Sequence, residues 1–341
     1  MCHLAGYVGN AKPNDVLNSL ERQEIYLGGQ ATGLAWKTGK QINVSRVVGP
    51  VSYFPLKEVE GHNTSLCIGH SRFTAKSLLL PETNMVNKAH PFLACDESFS
   101  LSHNGEIANA NEIKANLSPD HIFESESFHD YTDSEVIVHL LEEELKERKT
   151  ARGFSEAIQS ICGCIEGYYL LTIINNLTDQ IFLGNWTQPL VIGAGPEGSC
   201  FASLPEGLES FPENLRVWKV QPSWNTLVIL KGSQPSIEPL LVNRQIPNLE
   251  FDMQKAEERI KNLIYEFQPI SFHALRLLPN SGESPAFKII QERAQKQWIT
   301  FTGYLYSILA SLKRKGKVVE RVEHIPEAGV PNIPRAVYSI S

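Results

Sequence analysis

The 341-residue sequence predicts an α+β protein in which helices pack on stacked sheets, followed by a small C-terminal helical module. Three observations carry this. Strand-sized runs gather at both ends of residues 1–232 with helical stretches between them, unlike the strict alternation of a doubly wound parallel sheet. A chain of this length, 42% hydrophobic and 20% charged, has the composition of a globular protein and is too long for one ordinary core. The stretch Ser233 to Asn248, with Pro235, Pro239 and Pro247, reads as a linker between domains at 1–232 and 249–341.

Taken in order, Cys2 to Val8 alternate as a strand that buries the start of the chain in a sheet. Val16, Leu17, Leu20 and Ile25 recur at helical spacing over Asp15 to Leu27, and Gly28-Gly29 stop that helix. Strands follow at Thr32–Trp36, Ile42–Val48 and within Thr64–Thr74. Ala75 to His90 is loop-like, and a lid and a plain surface loop fit it equally. The strand Ser98–His103 runs into Asn104-Gly105, a pair that usually marks a turn. Thr132 or Asp133 can cap a helix to Glu147 whose apolar face is Val136, Ile137, Leu140, Leu141 and Leu145. A helix at Phe154–Cys162 and a buried strand from Gly167 to Ile174 come next. Short strands then recur at Gln180–Leu183, Pro189–Gly193, Ser199–Ala202, Leu215–Val220 and Thr226–Leu230.

The chemistry starts at Met1-Cys2. Trimming the methionine, which a small second side chain favours, leaves an α-amine and a thiol on one residue. Groups of these two kinds both titrate near neutrality, so a single residue can supply nucleophile and base. Arg72, at the polar end of its strand, can present its planar fork to a carboxylate or sit in a surface ion pair. The Asn104 amide and the Gly105 N–H can form an oxyanion hole, or the pair can be a turn. Asp133 can cap its helix or hold a ligand ammonium. Cys162-Gly163-Cys164 lacks the partner pair that a metal site would need, and no cofactor or metal is expected.

Met1-Cys2 with Gly6-Tyr7, Gly69-His70-Ser71-Arg72-Phe73, His90-Pro91-Phe92, His103-Asn104-Gly105-Glu106-Ile107, Thr132-Asp133-Ser134-Glu135-Val136-Ile137 and Gln188-Pro189-Leu190-Val191-Ile192-Gly193 stand in one order. Together they resemble the class II glutamine amidotransferases, whose glutaminase domain is an N-terminal nucleophile hydrolase. The resemblance covers about residues 1–232 and implies a four-layer αββα sandwich. It implies that Cys2 attacks the glutamine amide, giving a γ-glutamyl thioester and ammonia, and that water then frees glutamate. It also implies that Arg72 grips the glutamine carboxylate, Asp133 its ammonium, and Asn104 with Gly105 the oxyanion, with Phe73 and His90 as further substrate contacts and the loop after Arg72 as a lid. The chain departs from the family at His3, where glycine is more usual, at Phe73-Thr74-Ala75-Lys76, and at Phe201-Ala202-Ser203, which lacks a following aspartate. Hydrolysis of another γ-glutamyl amide is the neighbouring reading.

About ninety residues follow the linker, too few for a synthetic domain, so an ammonia acceptor is expected on another chain. Helices are predicted at Asp252–Phe267, at Pro285–Gln297 and from a Thr302 cap to Lys315-Gly316. A two-stranded wing follows at Val318–Val322 and Ala336–Ile340, around a turn at Pro326–Pro334. This order looks like a winged helix-turn-helix. Lys288, Arg293, Lys296, Lys313, Arg314, Lys315, Lys317 and Arg321 give it a basic element against Glu292 and Glu320. A glutamine-sensing regulator whose tail binds DNA is therefore the second reading, and a protein-interaction module the plainer one. The net charge of −7 favours no nucleic-acid partner for the whole protein. No run of 18 apolar residues and no secretory start exist, which points to a cytoplasmic protein with no membrane partner. Six irregularly spaced cysteines argue against a disulfide framework.

Overall fold

A computed structural model describes residues 2–62, 64–74, 86–126, 131–146, 151–242, 252–278, 301–327 and 330–341. The chain divides into two compact units, Met1–Gln23 with Gly28–Arg244, and Glu24–Leu27 with Gln245–Ser341.

The first unit holds strands β1 (His3–Gly9), β2 (Ala31–Thr38), β3 (Gln41–Val48), β4 (Leu66–Arg72), β5 (Phe92–Leu93), β6 (Phe99–Ile107), β7 (Gly167–Asn175), β8 (Ile181–Trp186), β9 (Val191–Gly195), β10 (Gly198–Ala202), β11 (Trp218–Val220), β12 (Asn225–Leu230) and β13 (Ser236–Pro239). Its helices are α1 (Pro13–Glu24), α2 (Ala110–Asn116), α3 (Asp133–Leu145), α4 (Ala151–Cys164) and the short α5 (Pro205–Leu208). The strands form two antiparallel sheets, ordered β11-β9-β10-β1-β4-β2-β3 and β13-β12-β8-β7-β6-β5.

The side chains explain why the sheets stack. On β1, Leu4 and Val8 face one way and Ala5 and Tyr7 the other, and all four are buried, so both faces of the sheet are covered. Leu4 and Val8 join Ile68, Leu170, Ile174, Leu183, Val228 and Phe201 in a core between the two sheets. Ala5 and Tyr7 join Val16, Leu17 and Leu20 of α1. A third core packs Val136, Ile137 and Leu141 of α3 and Ile158 and Ile161 of α4 on Leu101, Leu171 and Phe182 of the second sheet. With the sheet–sheet core between the two helix–sheet cores, these three apolar interfaces make four layers, helix, sheet, sheet, helix.

Several element boundaries differ from the sequence expectation. The helix expected to reach Leu27 ends at Glu24, and Glu24–Leu27 cluster with the second unit. The Asn104-Gly105 pair is no turn, because β6 runs through it to Ile107 in continuous register with β7. Part of the expected linker is β13, which pairs with β12 as an edge strand; an edge position leaves one side of the backbone unpaired and so tolerates Pro239. The first unit thus runs past residue 232. The lid expectation falls largely on residues 75–85, and the helix at 285–297 with Lys288, Arg293 and Lys296 also lies outside the described residues.

The second unit contains α6 (Met253–Phe267), β14 (Ile270–Ser271), α7 (Phe272–Leu277), α8 (Phe301–Arg314), β15 (Val318–Glu327) and β16 (Val330–Ile340), with sheet order β14-β16-β15. Asp252 caps α6 by accepting the Lys255 N–H at 3.1 Å. The expected stripe Leu305, Ile308, Leu309 and Leu312 is buried. Gly316 ends α8 with φ +62°, while the Lys317 N–H reaches the Leu312 carbonyl at 2.9 Å. Thr302 lies inside α8 rather than capping it, and the expected turn at Pro326–Pro334 is mostly strand, because β15 and β16 stay paired out to Glu327 and Val330. The Glu24–Leu27 segment belongs to this core. Ala336 donates to the Ile25 carbonyl at 2.7 Å, and the Tyr26 ring meets those of Phe272 and Tyr306 edge-on at 5.6 and 5.3 Å. Among the described residues no helix is long and apolar enough to cross a membrane.

Candidate active site

Strand register brings the sequence-predicted residues together. His3 pairs with Ser71 across β1 and β4, which places Cys2 beside Arg72 at the end of β4. The Cys2 sulfur lies between the backbone groups of Phe73, whose N–H reaches it at 3.3 Å and whose carbonyl is 3.4 Å away. From the other sheet, β6 supplies Asn104, whose Oδ1 accepts the Cys2 N–H at 2.9 Å. Removal of Met1 would make that nitrogen the α-amine.

Asn104 is fully buried, and its Nδ2 has no hydrogen-bond partner among the described residues. A buried amide donor left open is costly unless something transient uses it. The next residue is Gly105 at φ +151°, where a Cβ would lie 1.9 Å from the Tyr168 carbonyl oxygen and 2.8 Å from His103 Nε2. Only glycine fits there, so the backbone is fixed at a conformation that side chains exclude.

Asp133 opens α3, and Thr132 is the cap, its oxygen accepting the Glu135 N–H. Asp133 is therefore released from the capping role that the sequence allowed it. Its Oδ2 accepts the Ile107 N–H at 2.9 Å, three residues along β6 from Asn104, and its Oδ1 accepts the Ser134 hydroxyl at 3.2 Å. Ser134 in turn meets His103 Nδ1 at 3.0 Å. The carboxylate side chain remains 30% exposed, enough to meet a ligand.

Behind Arg72 lie His70 and His90, both buried, with ring centroids 4.1 Å apart. Burial holds both imidazoles well below their ordinary pKa; the Arg72 guanidinium adds to this at His70, and the neighbouring imidazoles add to it at His90. Burial also lowers His103, although Asp133 and Glu106 oppose it. With these three imidazoles neutral, Arg72 is the cation that acts on both His70 and His90.

All seven predicted residues, Cys2, Arg72, Phe73, His90, Asn104, Gly105 and Asp133, thus belong to this region at the ends of the two sheets. In the network His103–Ser134–Asp133, His103 and Ser134 were missed, although both stand inside quoted motifs beside predicted residues. Cys162 is buried within α4 and Cys164 exposed, and neither joins a metal-capable group; among the described residues such groups converge elsewhere, at Cys95, His121, His139 and Glu142.

Residues 77–210 match the family model described as a glutamine amidotransferase domain. The chain is 32% identical over 270 residues to the isomerizing glutamine–fructose-6-phosphate aminotransferase of Methanococcus maripaludis, covering 76% of this chain and 42% of that one. The same enzyme of Thermococcus kodakarensis is 34% identical over 218 residues, 61% of this chain and 33% of its own. The chain therefore spans well under half of these relatives. Among solved structures, glutamine phosphoribosylpyrophosphate amidotransferase from B. subtilis superposes with a TM-score of 0.56 at 15% identity, covering 94% of this chain and 66% of that one, a likeness of fold. Sequence relatives, fold and a cysteine beside an asparagine-glycine pair agree that the first unit is a class II glutamine amidotransferase domain of the N-terminal nucleophile hydrolase fold.

Proposed function

We propose that the protein hydrolyses the side-chain amide of glutamine through Cys2 and passes the ammonia to a synthetic partner. The carrying observation is the Asn104 side chain, which holds the Cys2 nitrogen through Oδ1 while its buried Nδ2 has no partner. In this reading the α-amine exposed by loss of Met1 takes the thiol proton, and the sulfur attacks the amide carbon. Negative charge collects on the amide oxygen, where Asn104 Nδ2 and the Gly105 N–H receive it. The amine returns its proton to the leaving nitrogen, and ammonia departs to give the thioester. Water, deprotonated by the same amine, attacks the thioester and frees glutamate and the thiol.

Arg72 takes the glutamine carboxylate and Asp133 its ammonium, with the Phe73 backbone beside the sulfur and His90 buried behind Arg72. A bidentate guanidinium and a carboxylate suit an amino acid gripped at both charged ends. Glutamate release from glutamine that disappears in Cys2→Ala is the expected result; undiminished release in that variant refutes the proposal. Comparison with γ-glutamyl peptides separates glutamine from another γ-glutamyl amide. A cytoplasmic setting, where thiols stay reduced, suits a cysteine nucleophile.

For the second unit the described residues run helix, strand, helix, then, beyond residues 279–300, helix, strand, strand, with β16 central, and this supports the winged-helix reading. A DNA-binding role draws no support from its charges. Lys313 is paired with Glu320 at 2.7 Å and Lys315 with Glu257 at 2.6 Å, so two of the cations expected to follow phosphates are already neutralised within the unit.

A further inference from the structure

Away from the Cys2 site, four side chains from three segments point their donor atoms at one spot. Cys95 stands just after β5, His121 lies between α2 and α3, and His139 and Glu142 share one face of α3 at an i, i+3 spacing. One ligand atom from each lies within 4.8 Å of every other. The Cys95 sulfur is 3.8 Å from His121 Nδ1 and 3.7 Å from His139 Nδ1. Glu142 Oε2 is 3.0 Å from the first of these nitrogens and 2.6 Å from the second.

We propose that Cys95, His121, His139 and Glu142 bind one divalent transition-metal ion, with zinc the best match. The distances argue it. Zinc takes sulfur at about 2.3 Å and nitrogen or oxygen at roughly 2.0–2.2 Å in tetrahedral geometry, which sets sulfur–nitrogen edges near 3.5 Å and nitrogen–oxygen edges near 3.4 Å. The two sulfur–nitrogen edges are within a few tenths of an ångström of that value, and the nitrogen–oxygen edges need only open by about 0.4 to 0.8 Å. A thiolate, a carboxylate and two neutral imidazoles also balance the charge of a divalent ion.

The surrounding bonds orient the donors. The Cys95 N–H donates to Glu142 Oε1 at 2.5 Å, so Oε2 is the oxygen turned to the centre. His121 presents Nδ1 inward while its Nε2 lies 3.3 Å from Glu143 Oε1, the carboxylate–histidine pairing that fixes which nitrogen stays free for a metal. Glu143 is itself held by the Ser118 N–H at 2.8 Å. Four protein donors make a closed, structural kind of site, tying two connections to the helix that begins with Asp133.

The test uses the full chain. As isolated, or after addition of zinc alone, it should carry about one zinc per chain and melt higher than after strong chelation. Zinc should slow alkylation of Cys95 in the native protein by roughly tenfold or more, while exposed Cys164 reacts as before. Cobalt in its place should show a thiolate charge-transfer band that Cys95→Ser abolishes and Cys2→Ala leaves intact. Zinc content unchanged in Cys95→Ser/His139→Ala overturns the proposal. Should that double variant fail to fold, the alkylation arm on the unaltered chain decides: equal slowing, or none, at Cys95 and Cys164 also overturns it.

Discussion

Replacing Asn104 by alanine separates the chemistry of this site from its stability. The substitution removes the Nδ2 donor proposed for the oxyanion and the Oδ1 that accepts the Cys2 nitrogen at 2.9 Å. Loss of one oxyanion donor raises a barrier by ~2.7–4 kcal/mol. Loss of an ordinary hydrogen bond adds about 0.5–1.5 kcal/mol. Together they predict a fall in kcat of roughly 10²–10⁴-fold, with KM for glutamine little changed because neither contact touches the charged ends of the amino acid. The stability expectation runs the other way. Nδ2 is buried without a partner, and deleting such a group relieves a desolvation cost of about 1–3 kcal/mol that offsets the lost packing and the lost bond to the Cys2 nitrogen. The variant should melt close to the parent, or above it. Steady-state glutamate release and thermal unfolding read both quantities. Turnover within tenfold of the parent refutes the oxyanion assignment, and a large drop in melting temperature refutes the claim that Asn104 is kept at a stability cost.

Gly105→Ala should cost about 3 kcal/mol or more, because its Cβ would sit 1.9 Å from a carbonyl oxygen at positive φ; a urea midpoint equal to the parent's contradicts this. Asp133→Asn keeps an acceptor for the Ile107 N–H but removes the charge proposed for the ammonium. KM should rise roughly 10–100-fold with kcat changed far less, and an unchanged KM removes Asp133 from the glutamine site. His70, His90 and His103 are held neutral by burial in the folded protein. The unfolded chain takes up protons at these residues below about pH 6.5, so their contribution to stability is complete above that pH and is lost as the pH falls, by up to about 1.4 kcal/mol per pH unit for each. Urea midpoints that stay level or rise on acidification through that range contradict it.

Much of the first unit was legible because its site is written in short local runs. Cys2, Arg72, Asn104-Gly105 and Asp133 each sit at the end or within a strand or at a helix start, and period-2 alternation over Cys2–Val8 marked the strand β1, although its burial on both faces shows only in the structure. The turn reading of Asn104-Gly105 failed because the pairing of β6 with β7 overrides the local preference and uses the glycine for close backbone approach to Tyr168. The strand β13 was hidden by prolines, which an edge position tolerates. No local pattern tells that Glu24–Leu27 join the second unit, since that depends on Tyr26 finding Phe272 and Tyr306 some 250 residues or more away. The Cys95, His121, His139 and Glu142 group was equally invisible: only the His139–Glu142 spacing is local, and the other two donors arrive from separate connections. What the sequence could offer there was a histidine and a glutamate three apart on a predicted helix, a signal too common to single out.

The central claim is that the second residue becomes a nucleophile within reach of the Arg72, Asn104 and Asp133 side chains. Intact-mass and peptide analysis after treatment with a glutamine-mimicking electrophile tests it most directly. The account predicts a chain lacking Met1 that carries one adduct on its new terminal cysteine, with glutamine protecting it. A chain that retains Met1 and stays unmodified at Cys2 while Cys95 or Cys164 reacts would contradict it.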